Sequence, residues 1–346
     1  MNVNTLQRVC ISLSLCLFLG FFLHAQDIHY SMFNRSPMNI SPGLVGVFGG
    51  DMRITGNYRR QWNSVPVAYK TFTATLEHKL SFPKVKRGYF TGGLHFNYDD
   101  AGDLSLAQSQ IGLSGAYIHP LTKKEMNHHF LSGGLQVALS QRNFNTQNLR
   151  VDAQFSGEGF NRNLPNQEEQ FNDNATFVNF SGGLNYRFQN QGTDQNKRTR
   201  IDIGVAIFHL NRPNKSFIEG ATSKLDSRYS LYGISSFKLL EDLDMGLLAS
   251  GQFQGAHEEF VIGGNLRKYF GDNTAFLLGL SYRLGDSDAL IPNLAFDYRN
   301  FSFGFSFDWN LSKFDAATTG NGGPEFSMIY TVGQPKSKVY KPCPIF

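Results

Sequence analysis

Near the end of the chain Phe301, Phe303, Phe305 and Phe307 alternate with Ser302, Gly304, Ser306 and Asp308, and Trp309 follows. Side chains change face at every residue of a strand, so one face of this stretch is wholly aromatic and the other small or polar. A helix would scatter the same rings around its circumference. Ala295 to Thr331 therefore reads as two final strands and the loop between them. The aromatic face needs an apolar surface, either a second protein layer or lipid. One strand does not decide between these, but repetition of the pattern does.

The pattern recurs from residue 52 onward. Ile54 and Tyr58 oppose Arg53, Thr55, Asn57 and Arg59, and Phe90, Leu94, Phe96 and Tyr98 oppose Thr91, His95, Asn97 and Asp99. Leu131, Leu135, Val137 and Leu139 oppose Ser132, Gln136, Ala138 and Ser140, and Val178, Phe180 and Leu184 oppose Asn179, Ser181 and Asn185. Fourteen segments follow this rule, and Val151–Phe155 is a weaker fifteenth. Most are longer than the roughly 5 or 6 residues of a soluble strand. The apolar-out, polar-in alternation predicts an all-β fold, a transmembrane antiparallel β-barrel of 14 strands, with 12 or 16 left open. With 14, the tight connections at 240–241, 270–273 and 299–300 share the periplasmic side, and the long ones at 142–175, 211–227 and 310–324 share the outside.

A secreted soluble sandwich or propeller is the competing fold, because its strands alternate too. Long segments, an uncharged face and rings near strand ends favour the membrane. Tyr58, Tyr98, Tyr117, Tyr269, Tyr282, Tyr298 and Trp309 suit girdles at headgroup level. Composition agrees, with 17% charged residues against about 25% in soluble domains. The net charge of +4 is too small and too evenly mixed for a nucleic-acid partner.

Residues 9–23 form the long apolar run, behind Arg8 and ahead of His24-Ala25-Gln26-Asp27. The run is short for a membrane span of about 20 residues, so 1–25 reads as a cleaved signal peptide. Removing it leaves Cys343 alone, and one chain then has no disulfide framework. Residues 26–46, broken by Pro37 and Pro42, read as a periplasmic lead-in or a plug. The barrel takes 47–333 and a periplasmic tail 334–346.

Chemistry-bearing motifs are sparse. His128-His129 with Glu125, and His257-Glu258-Glu259, lack HExxH spacing, and no GxSxG elbow occurs. These observations imply no enzyme, cofactor or metal. Glycine doublets at 92–93, 133–134, 182–183 and 263–264 leave room on an inner face for another segment. Arg53, Arg59 and Arg60, with Asp99, Asp100 and Asp103, are candidates for an internal network or rim contacts.

Several stretches resemble the PorP/SprF family of type IX secretion system membrane proteins of Bacteroidetes. They are Asp27–Phe33 running to Pro37-Met38-Asn39-Ile40-Ser41-Pro42-Gly43-Leu44, Asn57-Tyr58-Arg59-Arg60-Gln61-Trp62, and Gly304–Asp308 with Asn310-Leu311-Ser312. Gly322–Phe326 and the terminal Cys343-Pro344-Ile345-Phe346 complete the likeness. Ser41, where the family favours Asn, and Phe307, where it favours Tyr, depart from the pattern. The resemblance implies a non-enzymatic barrel of the Gram-negative outer membrane serving type IX secretion or gliding motility. It implies as partners a large secreted adhesin or its C-terminal domain, or periplasmic ring components. An ordinary porin or solute transporter is the alternative. Tyr58, Arg59, Arg60, Trp62 and Asp308 are the candidate partner contacts, since arginine forks and tryptophan rings suit buried protein interfaces.

Overall fold

The computed structural model describes residues 27–61, 69–82, 85, 87–101, 106–122, 127–143, 152–155, 159–161, 163–164, 172, 174–190, 199–271, 273–285, 288–311 and 320–333. The leader 1–25, Trp62, Asp103, Glu125, Val151 and the tail 334–346 with Cys343 lie outside the described residues.

The segments form β1 (Met52–Gln61), β2 (Tyr69–Leu80), β3 (Tyr89–Ala101), β4 (Leu106–Pro120) and β5 (Asn127–Asn143). There follow β6 (Asn174–Asn190), β7 (Arg200–Phe208), β8 (Arg228–Leu240), β9 (Leu243–Gln254) and β10 (His257–Tyr269). The last four are β11 (Thr274–Gly285), β12 (Ala289–Tyr298), β13 (Phe301–Asn310) and β14 (Asn321–Val332). Each strand pairs with its neighbours in sequence, and β1 closes on β14 from Met52↔Val332 to Arg59↔Glu325. Closure matters because no water in hydrocarbon can satisfy an open edge. Around Val151 the described residues form a 3-10 turn, Asp152–Gln154, and Phe155 bridges only to Phe160. That stretch belongs to the β5–β6 loop, leaving a 14-strand wall.

Alternation sorts the faces. Leu113, Leu135, Leu184, Ile203 and Leu278 point outward and are exposed, whereas Thr55, Asn57, Thr73, His95 and Ser306 point inward and are buried. The phenylalanine strand obeys the same rule: Phe301, Phe303 and Trp309 lie outside, Ser306 and Asp308 inside. Tyr58, Tyr298 and Trp309 stand exposed at strand ends, as girdle residues should. Tyr269 is the exception. It shares the inner face with buried Val261 and donates to Asp244 at 2.7 Å, so it braces the lumen.

Short turns such as Glu241–Asp242 and Arg299–Asn300 gather at one end, with both ends of the barrel chain. The long connections 144–173, 209–227 and 311–320 gather at the other. That asymmetry makes the short-turn end periplasmic and the long-loop end external. Residues 27–48 lie in the lumen. Asp27 meets His209 and Arg228 at the long-loop end, while Gly46 and Phe48 meet Glu77 and Lys79 at the short-turn end. From Asp27 at the outer mouth the segment thus descends to the start of β1. The sequence leaves a periplasmic lead-in and a plug both open for this stretch; its described residues fill the lumen.

Two outcomes follow. Leu135→Arg, at the middle of β5 and 72% exposed to lipid, is expected to destabilise the folded barrel by about 2–4 kcal/mol in urea titrations from liposomes. In a Cys343→Ser background, Ile28→Cys and Lys224→Cys should react with a membrane-impermeant maleimide on intact cells. Asp242→Cys should react only after permeabilisation.

Candidate functional site

The segment 27–48 cannot run as a strand or a long helix, because Pro37 and Pro42 each lack an N–H. It folds instead as a 3-10 turn (Phe33–Arg35), a one-turn helix (Pro37–Ile40) and a second 3-10 turn (Pro42–Leu44). Pro37 and Pro42 each occupy a first helical position, where no N–H is needed. Ser41 accepts from the Gly43 N–H at 3.1 Å and joins the two pieces.

Its lower half is held by apolar contact. Phe33, Ile40, Leu44 and Val47 cluster with inward-facing Ile118, Tyr232 and Val261, and Met38 and Val45 cluster with Ala116. Glycines shape the wall to fit. Gly43 lies so close to β6 that a Cβ there would stand 3.0 Å from the Gly183 carbonyl carbon, and a Cβ on Gly134 would strike the Pro42 carbonyl. Thr91 donates to the Val45 carbonyl at 3.0 Å, Arg187 to the Val47 carbonyl at 3.0 Å, and Ser132 to the Gly43 carbonyl. Glu77 accepts from Gly46 N–H at 2.9 Å while pairing with Arg53.

The upper half is held by charge. Arg59 on β1 donates to Asp308 on β13 at 2.6 Å and to the His29 carbonyl at 2.8 Å. Arg283 on β11 donates to the same carboxylate at 2.9 Å and to Ser31 Oγ at 2.5 Å, and pairs with Glu259 at 3.2 Å. The Ser31 hydroxyl in turn donates to Asp308 at 2.6 Å. Glu325 on β14 accepts the backbone N–H groups of Ser31 and Met32, at 2.7 and 3.0 Å. Above this, the Asp27 carboxylate lies 2.5 Å from His209 Nε2 and 3.3 Å from Arg228 Nε, and its N–H donates to Gln254 at 3.0 Å. Arg228 also donates to the carbonyls of Ile28 and Asn39. His209 has φ 55°, a left-handed backbone uncommon for residues with a side chain. That bend after β7 accompanies a buried imidazole that also meets Asn179 at 2.8 Å.

Of the residues singled out from sequence, Arg59 and Asp308 come together, buried inside the barrel. Tyr58 faces lipid, Arg60 is exposed on the outer face, and Trp62 lies outside the described residues. Arg53 pairs with Glu77, and Asp99 accepts from Thr71 at 2.6 Å. His129 meets Tyr186 Oη at 2.6 Å, and among the described residues no group of three His, Cys, Asp or Glu side chains is placed to hold a metal ion. His209, Arg228 and Arg283 are not singled out by the sequence, and Asp27, Ser31, Glu259 and Glu325 stand out there only within longer motifs, not as members of a clamp. For Arg228, Glu259, Arg283 and Glu325 the signal is charge on the inward face of a strand in a barrel whose glycines make room for a filling segment, since buried charge demands a partner.

Breaking the clamp should be costly. Asp308→Ala leaves two buried guanidinium groups without their shared carboxylate, for an expected loss of about 3–5 kcal/mol. Loss of heat-modifiable gel mobility at lower temperature is the readout. Arg60→Ala, exposed and outside the clamp, should leave the transition unmoved.

No curated protein matches the chain. Solved structures similar to it include the toluene transporter TbuX of Ralstonia pickettii, at 12% identity and TM-score 0.48 over 87% of this chain and 94% of that one. A FadL homologue of Pseudomonas aeruginosa is similar at 11% identity and TM-score 0.45, over 84% and 92%. The family model for the type IX secretion system membrane protein PorP/SprF matches residues 23–330. By that match the chain belongs to the PorP/SprF family of type IX secretion system membrane proteins, and its 14-stranded barrel is one of the Gram-negative outer membrane.

Proposed function

We propose that this barrel is a non-enzymatic docking component of type IX secretion or gliding machinery, which retains an exported surface protein, such as a large adhesin, at its long-loop end. The observation that carries the reading is the filled lumen. Residues 27–48 cross it from end to end, held by the Arg59–Asp308–Arg283 clamp above and the apolar clusters below. A wall built around its own segment suits a scaffold, whereas a porin keeps a water-filled channel. The exposed rim residue Arg60, beside lipid-facing Tyr58 and followed by Trp62, is the place on β1 where an exported chain would be met. The short-turn end faces the periplasm and is the side on which ring components would contact the protein.

Mild-detergent pull-down from native membranes, with identification of the bound chains, tests this directly. A large exported protein should co-purify, and Arg60→Ala with Trp62→Ala should lower its recovery several-fold while barrel insertion stays normal. In planar bilayers the purified protein should show no large, steady conductance. A stable open pore without any retained protein would favour the transporter.

A further inference from the structure

Arg142 departs from a rule that the other buried arginines of the wall keep. It is the penultimate residue of β5, faces inward at the long-loop end and is only 8% exposed. Arg53, Arg59, Arg187, Arg228 and Arg283 each pair with a carboxylate. Arg142 pairs with none among the described residues, and its buried Nε has no hydrogen-bond partner there. Across the strand pairs it meets Gln108 on β4 and Ala175 on β6, neither of them charged. The Phe217 ring lies over its guanidinium at 5.6 Å. A buried cation without a counter-charge is destabilising, so its place here calls for an anion.

The β7–β8 loop brings a second cation to the same place. The Asn172 N–H donates to the Phe217 carbonyl at 2.8 Å and ties this loop to the β5–β6 loop. Lys215, two residues before Phe217, is half-buried and pairs with no carboxylate among the described residues. Burial, and after it the Arg142 charge, lower its ammonium below the ordinary lysine value. The two carboxylates whose charge also reaches Lys215 are engaged elsewhere: Asp27 with His209 and Arg228, Asp226 with Arg212. The Asp27 seat shows how this mouth holds a carboxylate, between an imidazole and a guanidinium. Arg142 and Lys215 form a second cationic couple, without the carboxylate.

We propose that Arg142 and Lys215 form a carboxylate-binding seat at the outer mouth, filled by an Asp or Glu side chain of the exported polypeptide. The planar guanidinium offers a carboxylate two parallel donors, and the ammonium adds a second charge. Phe217 covers the guanidinium from one side. The identity of the occupant rests on the docking function proposed above; the seat itself does not.

The probe is sodium N-acetylglutamate, titrated into the full-length barrel in detergent against sodium chloride at equal ionic strength. The temperature at which heat-modifiable mobility is lost should rise with N-acetylglutamate, and Arg142→Met should abolish the rise. Without ligand, Arg142→Met should leave that temperature unmoved or raise it, because it removes an unpaired buried charge; a purely structural arginine would lower it. Lys215→Met, in a loop outside the wall, should weaken N-acetylglutamate binding about tenfold, as loss of a charge-assisted hydrogen bond implies. It substitutes should Arg142→Met fail to insert. No rise in wild type, or an equal rise in the variants, would overturn the seat. An equal rise with inorganic phosphate would overturn its assignment to carboxylates. In pull-downs from native membranes Arg142→Met should lower recovery of the exported protein several-fold. Unchanged recovery with the N-acetylglutamate effect abolished would overturn this occupant and leave the docking function standing. Failure of wild type to retain any exported protein would remove the docking function and this occupant, whereas the titration reads the seat alone.

Discussion

Everything in this molecule depends on where its backbone and its inward polar groups find hydrogen bonds. Lipid offers none, so the wall must close on itself, and β1 meets β14 to do so. Closure solves the backbone problem and creates another inside. Arg59, Arg228, Arg283, Asp308 and Glu325 project inward and are buried, where an unpaired charge costs several kcal/mol. The segment 27–48 supplies what the strands cannot supply one another: carbonyls for the arginines, N–H groups for Glu325 and a hydroxyl between Asp308 and Arg283.

This filling explains features that look unrelated along the chain. The apolar residues Ile118, Tyr232 and Val261 sit on the supposedly polar face because they meet Phe33, Ile40, Leu44 and Val47. Gly134 and Gly183 fall inward because the turn at Pro42-Gly43 approaches the wall too closely for a side chain. Polar grip above and apolar grip below follow the same logic. The charged side chains of the upper half, Arg59, Arg283 and Asp308 among them, are buried and meet one another and the segment's backbone, whereas apolar contact below needs no hydrogen-bonding partner.

Much of the wall was legible in advance. Its alternation has a period of two, and lipid imposes that period on each strand separately, so Phe301–Trp309 or Leu131–Leu139 declares its faces without reference to any other strand. The asymmetry of turns and loops gave the direction. The clamp was less legible. Arg59 and Asp308 were noticed for different reasons, yet their union joins β1 to β13 across β14, a relation of register that local pattern does not encode. Tyr269 was misread as a girdle residue because an aromatic at a strand end looks the same whether it meets headgroups or, as here, Asp244. The course of residues 27–48 was unreadable for a similar reason. Its elements are too short for periodicity, and its direction is set by ion pairs to residues as distant as Arg228 and Asp308.

The same contacts constrain the order of assembly. Pairing β1 with β14 joins residues nearly a whole barrel apart, but loop-closure entropy grows only logarithmically, by about 0.6 kcal/mol per doubling of length. The seam is therefore limited less by distance than by what must already lie within it. Arg59 and Glu325, neighbours across that seam, both hold residues 29–32, and Asp308 behind them holds Ser31. A wall that closed first would enclose these groups unsatisfied, and the segment would then have to thread upward through a lumen narrowed by Gly43 against β6 and by the clusters of Phe33 and Met38. The economical route has the segment laid against β4 to β7 before β14 arrives, so that closure and clamping are one event. The amino-terminal stretch then serves as the template on which the last seam forms.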